Sequence, residues 1–243
     1  MKHLRTIIGV MALLAAFSCT KSQTEGNGRV SFQVSSRLDV TDQTRSSVSD
    51  YTALPSAGDF TISIVDEASV SVWSGKISEW NQETRLPAGN YSVTATYGSI
   101  EDEGFDKPFF TGTRSFAIIS GETTTVSIDV ALGNTIVKVA CTDNFKNYYK
   151  DYSFKIQRGG SEIVTFAKDD ARAAFIDGYK FTLSGVFASE TSTKNFEKEY
   201  TSLEEATAYT FEFDAANVGG TTITVRFNDT VEVIELGDLE LNE

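Results

Sequence analysis

The sequence is short of the residues from which most catalytic and metal sites are built. Its 243 residues include one histidine, His3, and two cysteines, Cys19 and Cys141. His3 lies in an N-terminal stretch with the character of a targeting signal, so the mature chain is expected to hold no imidazole. That excludes Ser-His-Asp and Cys-His catalysis and any histidine-ligated metal. Two cysteines are too few for a disulfide framework or a cysteine-based zinc site. Basic residues are outnumbered 21 to 34 by acidic ones, a formal net charge of −13 that becomes −15 once residues 1–18, with Lys2 and Arg5, are set aside. No Lys/Arg cluster offsets this field, so nucleic acid is excluded as a partner, and the acidity reads as solubility. Glycine-rich phosphate loops are missing too: RGGSE (158–162) and VGGTT (218–222) have the makeup of hairpin turns.

Long apolar runs are also lacking. The run Ile7–Phe17 has 11 residues, where a membrane-spanning helix needs about 20. Lys2 and Arg5 precede it, Ser18 and Cys19 follow it, and the chain then turns at once to the polar TKSQTEGNG. A charged start, a short apolar run and a small residue before a cleavage point describe a secretory signal. The segment AAFSC resembles a bacterial lipoprotein signal, in which cleavage exposes a cysteine whose sulfur is acylated. The resemblance implies a signal peptide over 1–18, lipid attachment at Cys19 and a polar tether over 19–28. Acyl chains suit the role, since each buried CH₂ contributes about 0.8 kcal/mol and two or more chains anchor stably.

What the chain does have is two-residue alternation from residue 29 onward, the mark of half-buried strands. Val30/Phe32/Val34, Phe60/Ile62/Ile64, Val70/Val72, Tyr91/Val93/Ala95/Tyr97 and Val126/Ile128/Val130 each line one predicted face. Val137, Val139 and Cys141 do the same, which assigns Cys141 to a core and leaves Cys19 alone. One helical signal stands out in DNFKNYYKDY: Phe145, Tyr148, Tyr149 and Tyr152 are spaced for one buried face, with Asp143 as N-cap, and the helix is expected to connect two β units. Alternation then resumes in Tyr152/Phe154/Ile156, Tyr179/Phe181/Leu183, Tyr209/Phe211/Phe213, Ile223/Val225/Phe227 and Val231/Val233. The Ser/Thr-rich stretch 35–58 reads as a long loop or mobile segment.

A faint internal repeat is visible. LPAGNYSVTATYG (86–98) parallels FIDGYKFTLSGVF (175–187), and GNTIVKVACTDN, starting at Gly133, parallels GTTITVRFNDT, starting at Gly220. Two similar offsets favour two related β-sandwich domains over one barrel. The expectation is an all-β chain of two tandem β-sandwich domains, 29–132 and 133–243.

Candidate chemistry is sparse. Glu101, Asp102, Glu103 and Asp106 gather in one acidic loop and are the candidates for a metal site, although the ordered spacing of a calcium-binding loop is absent. The bland reading is a solvated loop. Trp73 falls opposite Val70 and Val72 in the alternation; Trp73 and Trp80 are the candidates for stacking on a sugar ring. No catalytic residue and no cofactor is proposed.

Taken together, LPAGNYSVTATYG, the segment running from Gly104 to Ile156 and NVGGTTITVRFND are similar to a Bacteroidota lipoprotein family of unknown function with fimbrillin-like relatives. The resemblance implies a lipid-anchored, all-β, outer-membrane or cell-surface protein without catalytic residues. It also implies a structural or adhesive role, with fimbrial subunits as partners through strand exchange. Some fimbrillin precursors are trimmed after an arginine near the end of the first strand, a position that Arg45 of DQTRSS matches. The alternative is a surface glycan-binding lipoprotein serving polysaccharide uptake.

Overall fold

The computed structural model describes residues 26–41, 46–215, 222–227, 230–235 and 237–238. Alternating sequences form eight strands in its first part: β1 (Asn27–Arg37), β2 (Thr61–Asp66), β3 (Ser71–Lys76), β4 (Arg85–Pro87), β5 (Gly89–Tyr97), β6 (Gly104–Phe105), β7 (Phe110–Ile118) and β8 (Thr123–Leu132). The second part starts with β9 (Thr135–Cys141), a short helix α1 (Asp143–Tyr148), β10 (Asp151–Arg158), β11 (Ser161–Phe166) and β12 (Ala174–Ile176). It continues with β13 (Lys180–Ala188), β14 (Thr193–Thr201), β15 (Ala208–Ala215), β16 (Thr222–Phe227), β17 (Thr230–Glu235) and β18 (Gly237–Asp238).

The strand orders reveal one topology used twice. The first sheet runs β3-β2-β5-β7-β8-β1-β4; the other two run β11-β10-β13-β14-β18 and β17-β16-β15-β9-β12-β6. Thus β3-β2-β5-β7 and β8-β1-β4 in the first unit correspond to β11-β10-β13-β14 and β15-β9-β12 in the second. Each unit is a sandwich whose two layers face one core. In the first, Ile62, Ile64, Val93 and Phe110 pack with Val30, Phe32, Val126 and Ile128. In the second, Phe154, Ile156, Phe181 and Phe187 pack with Val137, Val139, Phe211 and Phe213. Each such side chain, fully buried, stabilises by about 1.5–3 kcal/mol relative to exposure.

The first unit's layers stay joined where β7 meets β8 at Phe110↔Leu132 and Thr111↔Ala131. Past this corner a Cβ on Gly112 would lie 2.1 Å from the Asp129 carbonyl oxygen, so only glycine lets the strands cross that closely. The RGGSE turn joins β10 to β11 with Gly159 and Gly160 both at positive φ, +57° and +83°, the backbone of a two-residue hairpin turn.

The first repeat matches the structure: Leu86 of β4 and Phe175 of β12 occupy equivalent positions and both are buried. The second aligns β9 with β16, which the topology places differently. β9 corresponds to β1, whereas β16 adds to the outside of β15. What the two share is that each follows the last strand of a unit.

Three side-chain expectations are corrected. Trp73 pairs with Ile64 on the core side, because a bulge after Ile64 leaves Val72 out of register. Val70 and Val72 therefore face solvent, Val70 at 59% exposure. Tyr179 is 75% exposed, because it sits in the turn before β13, where its N–H is bound to Asp177 Oδ1 at 2.9 Å. The helix is capped by the Thr142 hydroxyl rather than by Asp143. It joins β9 to β10, the two layers of the second unit, rather than one unit to the other. Phe145 and Tyr149 plug the end of that sandwich, while Tyr152 reaches the same core from β10.

Candidate functional site

β1 is seated in its layer like an inserted strand. It runs parallel to β8 through nine register pairs, from Arg29↔Thr123 to Arg37↔Ala131. Its other edge meets β4 only at Asn27–Arg29. Val30 and Phe32 point into the core. Phe32 packs edge-on against Trp80 at 5.4 Å between ring centroids, and the Trp80 indole N–H donates to the Val30 carbonyl at 3.0 Å. β1 thus carries a backbone ladder along β8 and buries Val30 and Phe32 in the core, the two features by which an extended strand is recognised.

Among the described residues, Ile136, Ala173 and Phe175 of the second unit pack into the first unit's core, and hydrogen bonds and ion pairs join the units at three places. Between β8 and β9 only Gly133 and Asn134 intervene, and both are tied down. Gly133 N–H donates to the Phe109 carbonyl at 2.8 Å, and the Asn134 carbonyl accepts from Ala206 N–H at 2.9 Å. The buried Asn134 side-chain oxygen also accepts from Phe109 N–H. The polar stretch after β1 forms the second contact. Thr41 exchanges backbone bonds with Ala206 and Ala208, at 2.9 and 3.0 Å, while Val40 and Val48 turn inward.

The third contact is the acidic loop between β5 and β7. Its β6 leaves the first unit and pairs with β12 of the second. Beside it the Arg158 guanidinium holds Glu103 in a two-point ion pair. Glu103 also accepts from Asp177 N–H at 2.6 Å, with its side chain only 8% exposed. Asp102 pairs instead with Lys107 at 3.0 Å, and Asp106 accepts from the Thr52 hydroxyl at 3.2 Å. The acidic loop thus splits its carboxylates among separate partners. Among the described residues no three His, Cys, Asp or Glu side chains gather to hold a metal ion.

A small cleft of about 240 Å³ opens beside Cys141, Lys146, Tyr152, Phe166 and Asp169. Lys146 pairs with Asp169 at 3.0 Å, and the Tyr152 hydroxyl donates to the same carboxylate at 2.8 Å. The hydrogen bond from Lys146 and then that from Tyr152 hold Asp169 below the usual carboxylate range. Burial pushes the Cys141 thiol up to about 12, and burial with the Asp169 bond raises Tyr152. Pushed up by burial, the Cys141 thiol has the character of a small packing group.

The sugar-stacking candidates meet each other. Trp80 is 8% exposed, and Trp73 packs edge-on against it at 5.1 Å, so they form no exposed row. Cys19 and Arg45 lie outside the described residues. Sequence reading missed the junction residues: Asn134, Arg158, and Thr41 with its partners Ala206 and Ala208. Of these, Thr41 alone lies in a stretch the sequence marks, residues 35–58, whose Ser/Thr-rich run lacks strand alternation.

The architecture defines an all-β protein of paired sandwich units with a seated first strand. The chain belongs to the family described as "Domain of unknown function (DUF4493)", whose model matches residues 26–237. No curated protein matches the sequence. Among solved structures it is similar to a candidate cell adhesion protein from Bacteroides ovatus, at 12% identity and TM-score 0.46 over 89% of this chain and 99% of that one. A fimbrial assembly protein from Parabacteroides distasonis is similar at 7% identity and TM-score 0.43, over 73% and 90%. So is a candidate polysaccharide binding protein from Bacteroides thetaiotaomicron at 13% and 0.43, over 87% and 99%.

Proposed function

We propose that this protein is a non-enzymatic, lipid-anchored outer-membrane protein with a structural or adhesive role at the cell surface, built as a fimbrillin-like subunit. The observation that carries the reading is the seat of β1: nine parallel register pairs on one side, with Val30 and Phe32 buried in the core. Such a seat can be vacated by its own strand and refilled by an extended strand from a partner subunit. Arg45, which follows β1 in the chain, is the proposed cleavage point that would free it. Cys19 is the proposed acylation site, and the two units divide between Leu132 and Gly133.

Glu103 of the acidic loop clasps the second unit, and burial pushes the Cys141 thiol up. The glycan-binding alternative loses its main support, because Trp73 packs edge-on against the buried Trp80 and the two form no exposed row. The test is gentle extraction of envelopes followed by gel analysis without heating. The proposal expects SDS-stable ladders that collapse to monomers on boiling; monomers alone before boiling would contradict it.

A further inference from the structure

We propose that the fold carries tension along the chain, with the opening strand of each unit and the strand that completes its paired layers arranged as a shear clamp. Among the described strand pairs, two are parallel, β1 with β8 and β9 with β15. Each joins the strand that opens a unit to the strand that completes its paired layers. The start of β1 and the end of β8 therefore lie at opposite ends of one ladder. A pull that separates the two ends of the unit acts along the strands, so the ladder bonds must yield together. With antiparallel first and last strands, both ends would lie on one side and the bonds would open singly.

The load path has little slack between the units. Gly133 and Asn134 alone separate β8 from β9, and both are hydrogen-bonded to neighbouring backbone. Six register pairs then couple β9 to β15, from Ile136↔Ala208 to Cys141↔Phe213. In the first unit, Arg29 N–H donates to the Glu122 carbonyl at 2.8 Å. The two-residue period of the ladder sets the N–H groups of Ser31, Gln33 and Ser35 on the same edge. The opposite edge is fastened at the Val30 carbonyl by Trp80. The source of the load rests on the anchored reading above, for the chain not cleaved at Arg45, since a protein held through Cys19 and pulled through its bound end feels force along this path. The path itself does not depend on how the chain is anchored.

Single-molecule force spectroscopy on the full chain carrying Cys19→Ser tests the proposal. One handle is fixed at the N-terminal end; the other is placed either at the C-terminal end or at Glu122. Glu122 lies at the starting end of β1, where Gly121 N–H donates to the Asn27 carbonyl at 3.0 Å, so the second geometry peels β1 instead of shearing it. Rupture of the first unit, recognised by the length released from residues 27–132 in the end-to-end geometry and from 27–122 with the handle at Glu122, is expected at several-fold higher force in the end-to-end geometry. Gln33→Pro removes one ladder donor from an exposed position. It should lower the end-to-end force while Gln33→Ala leaves it unchanged. Equal forces in the two geometries of the unsubstituted chain would overturn the proposal whether or not the proline variant folds. Acyl labelling at Cys19 is read separately, so failure of the anchor and failure of the clamp are told apart.

Discussion

Glu103 and Arg158 sit in different units and hold each other in a two-point ion pair that Asp177 N–H completes. Arg158 is itself fixed by the carbonyls of Lys180 and Asp177, at 2.9 and 2.7 Å. Removing one partner of such a shielded pair leaves the other without its charge, which costs about 2–4 kcal/mol, toward the lower end because Arg158 keeps some solvent. Glu103→Ala is therefore expected to lower the urea midpoint and to separate the melting of the two units into two steps. Arg158→Ala should cost less in that background than alone, because its ion pair is already gone and only its bonds to the Lys180 and Asp177 carbonyls remain to be lost. Full additivity of the two substitutions would contradict the clasp.

High pH should weaken the fold in a defined window. Burial raises the Cys141 thiol from 9.0 to about 12. Burial, with a smaller contribution from Tyr148, raises Tyr149 from 10.0 to about 12; Tyr152 moves the same way. Between the unfolded and folded values the folded chain binds more protons than the unfolded one, so stability falls as pH rises. The loss should begin near the unfolded thiol value of 9.0 and continue to about 12. Urea midpoints measured across that range check it, and Tyr149→Phe should flatten the slope. The sign reverses for Asp169: its lowered value gives a contribution present above the unfolded 3.8 and lost on acidification.

Trp73 is expected to matter for packing rather than for ligand. It contacts Trp80 at the core side of edge strand β3, so Trp73→Ala should cost about 2 kcal/mol, less than the full loss for a wholly buried tryptophan. Thermal melting gives the cost, and retention on immobilised polysaccharides gives the comparison. Loss of retention with stability intact would revive the glycan-binding reading.

Much of the fold could be read from alternation, and the failures have physical causes. Ile62/Ile64, Val126/Ile128/Val130 and Phe211/Phe213 line cores as expected because their strands lie between two neighbours, where register fixes the face. The pattern failed at Val70, Val72 and Trp73, where an edge strand with a bulge reversed the face. It failed again at Tyr179 alone, which stands in the turn just before β13, while Phe181 and Leu183 of the same run line the core. The helix was visible from its aromatic spacing, but its place in the fold was not, because a short apolar stripe does not say which core it plugs. The junction was least legible. Glu103 looked like one acid among four, and its partner Arg158 is 55 residues away in the chain. Such pairing follows from topology, not from local pattern.

The central claim is that this protein is a building or adhesive module fastened to the membrane through Cys19. Metabolic labelling with palmitate, comparing the wild-type chain with Cys19→Ala, tests it most directly. The account predicts label on the wild-type band, none on the variant, and release of the variant from the membrane fraction. Equal labelling of both chains, or none on either while the protein remains in the soluble fraction, would contradict it.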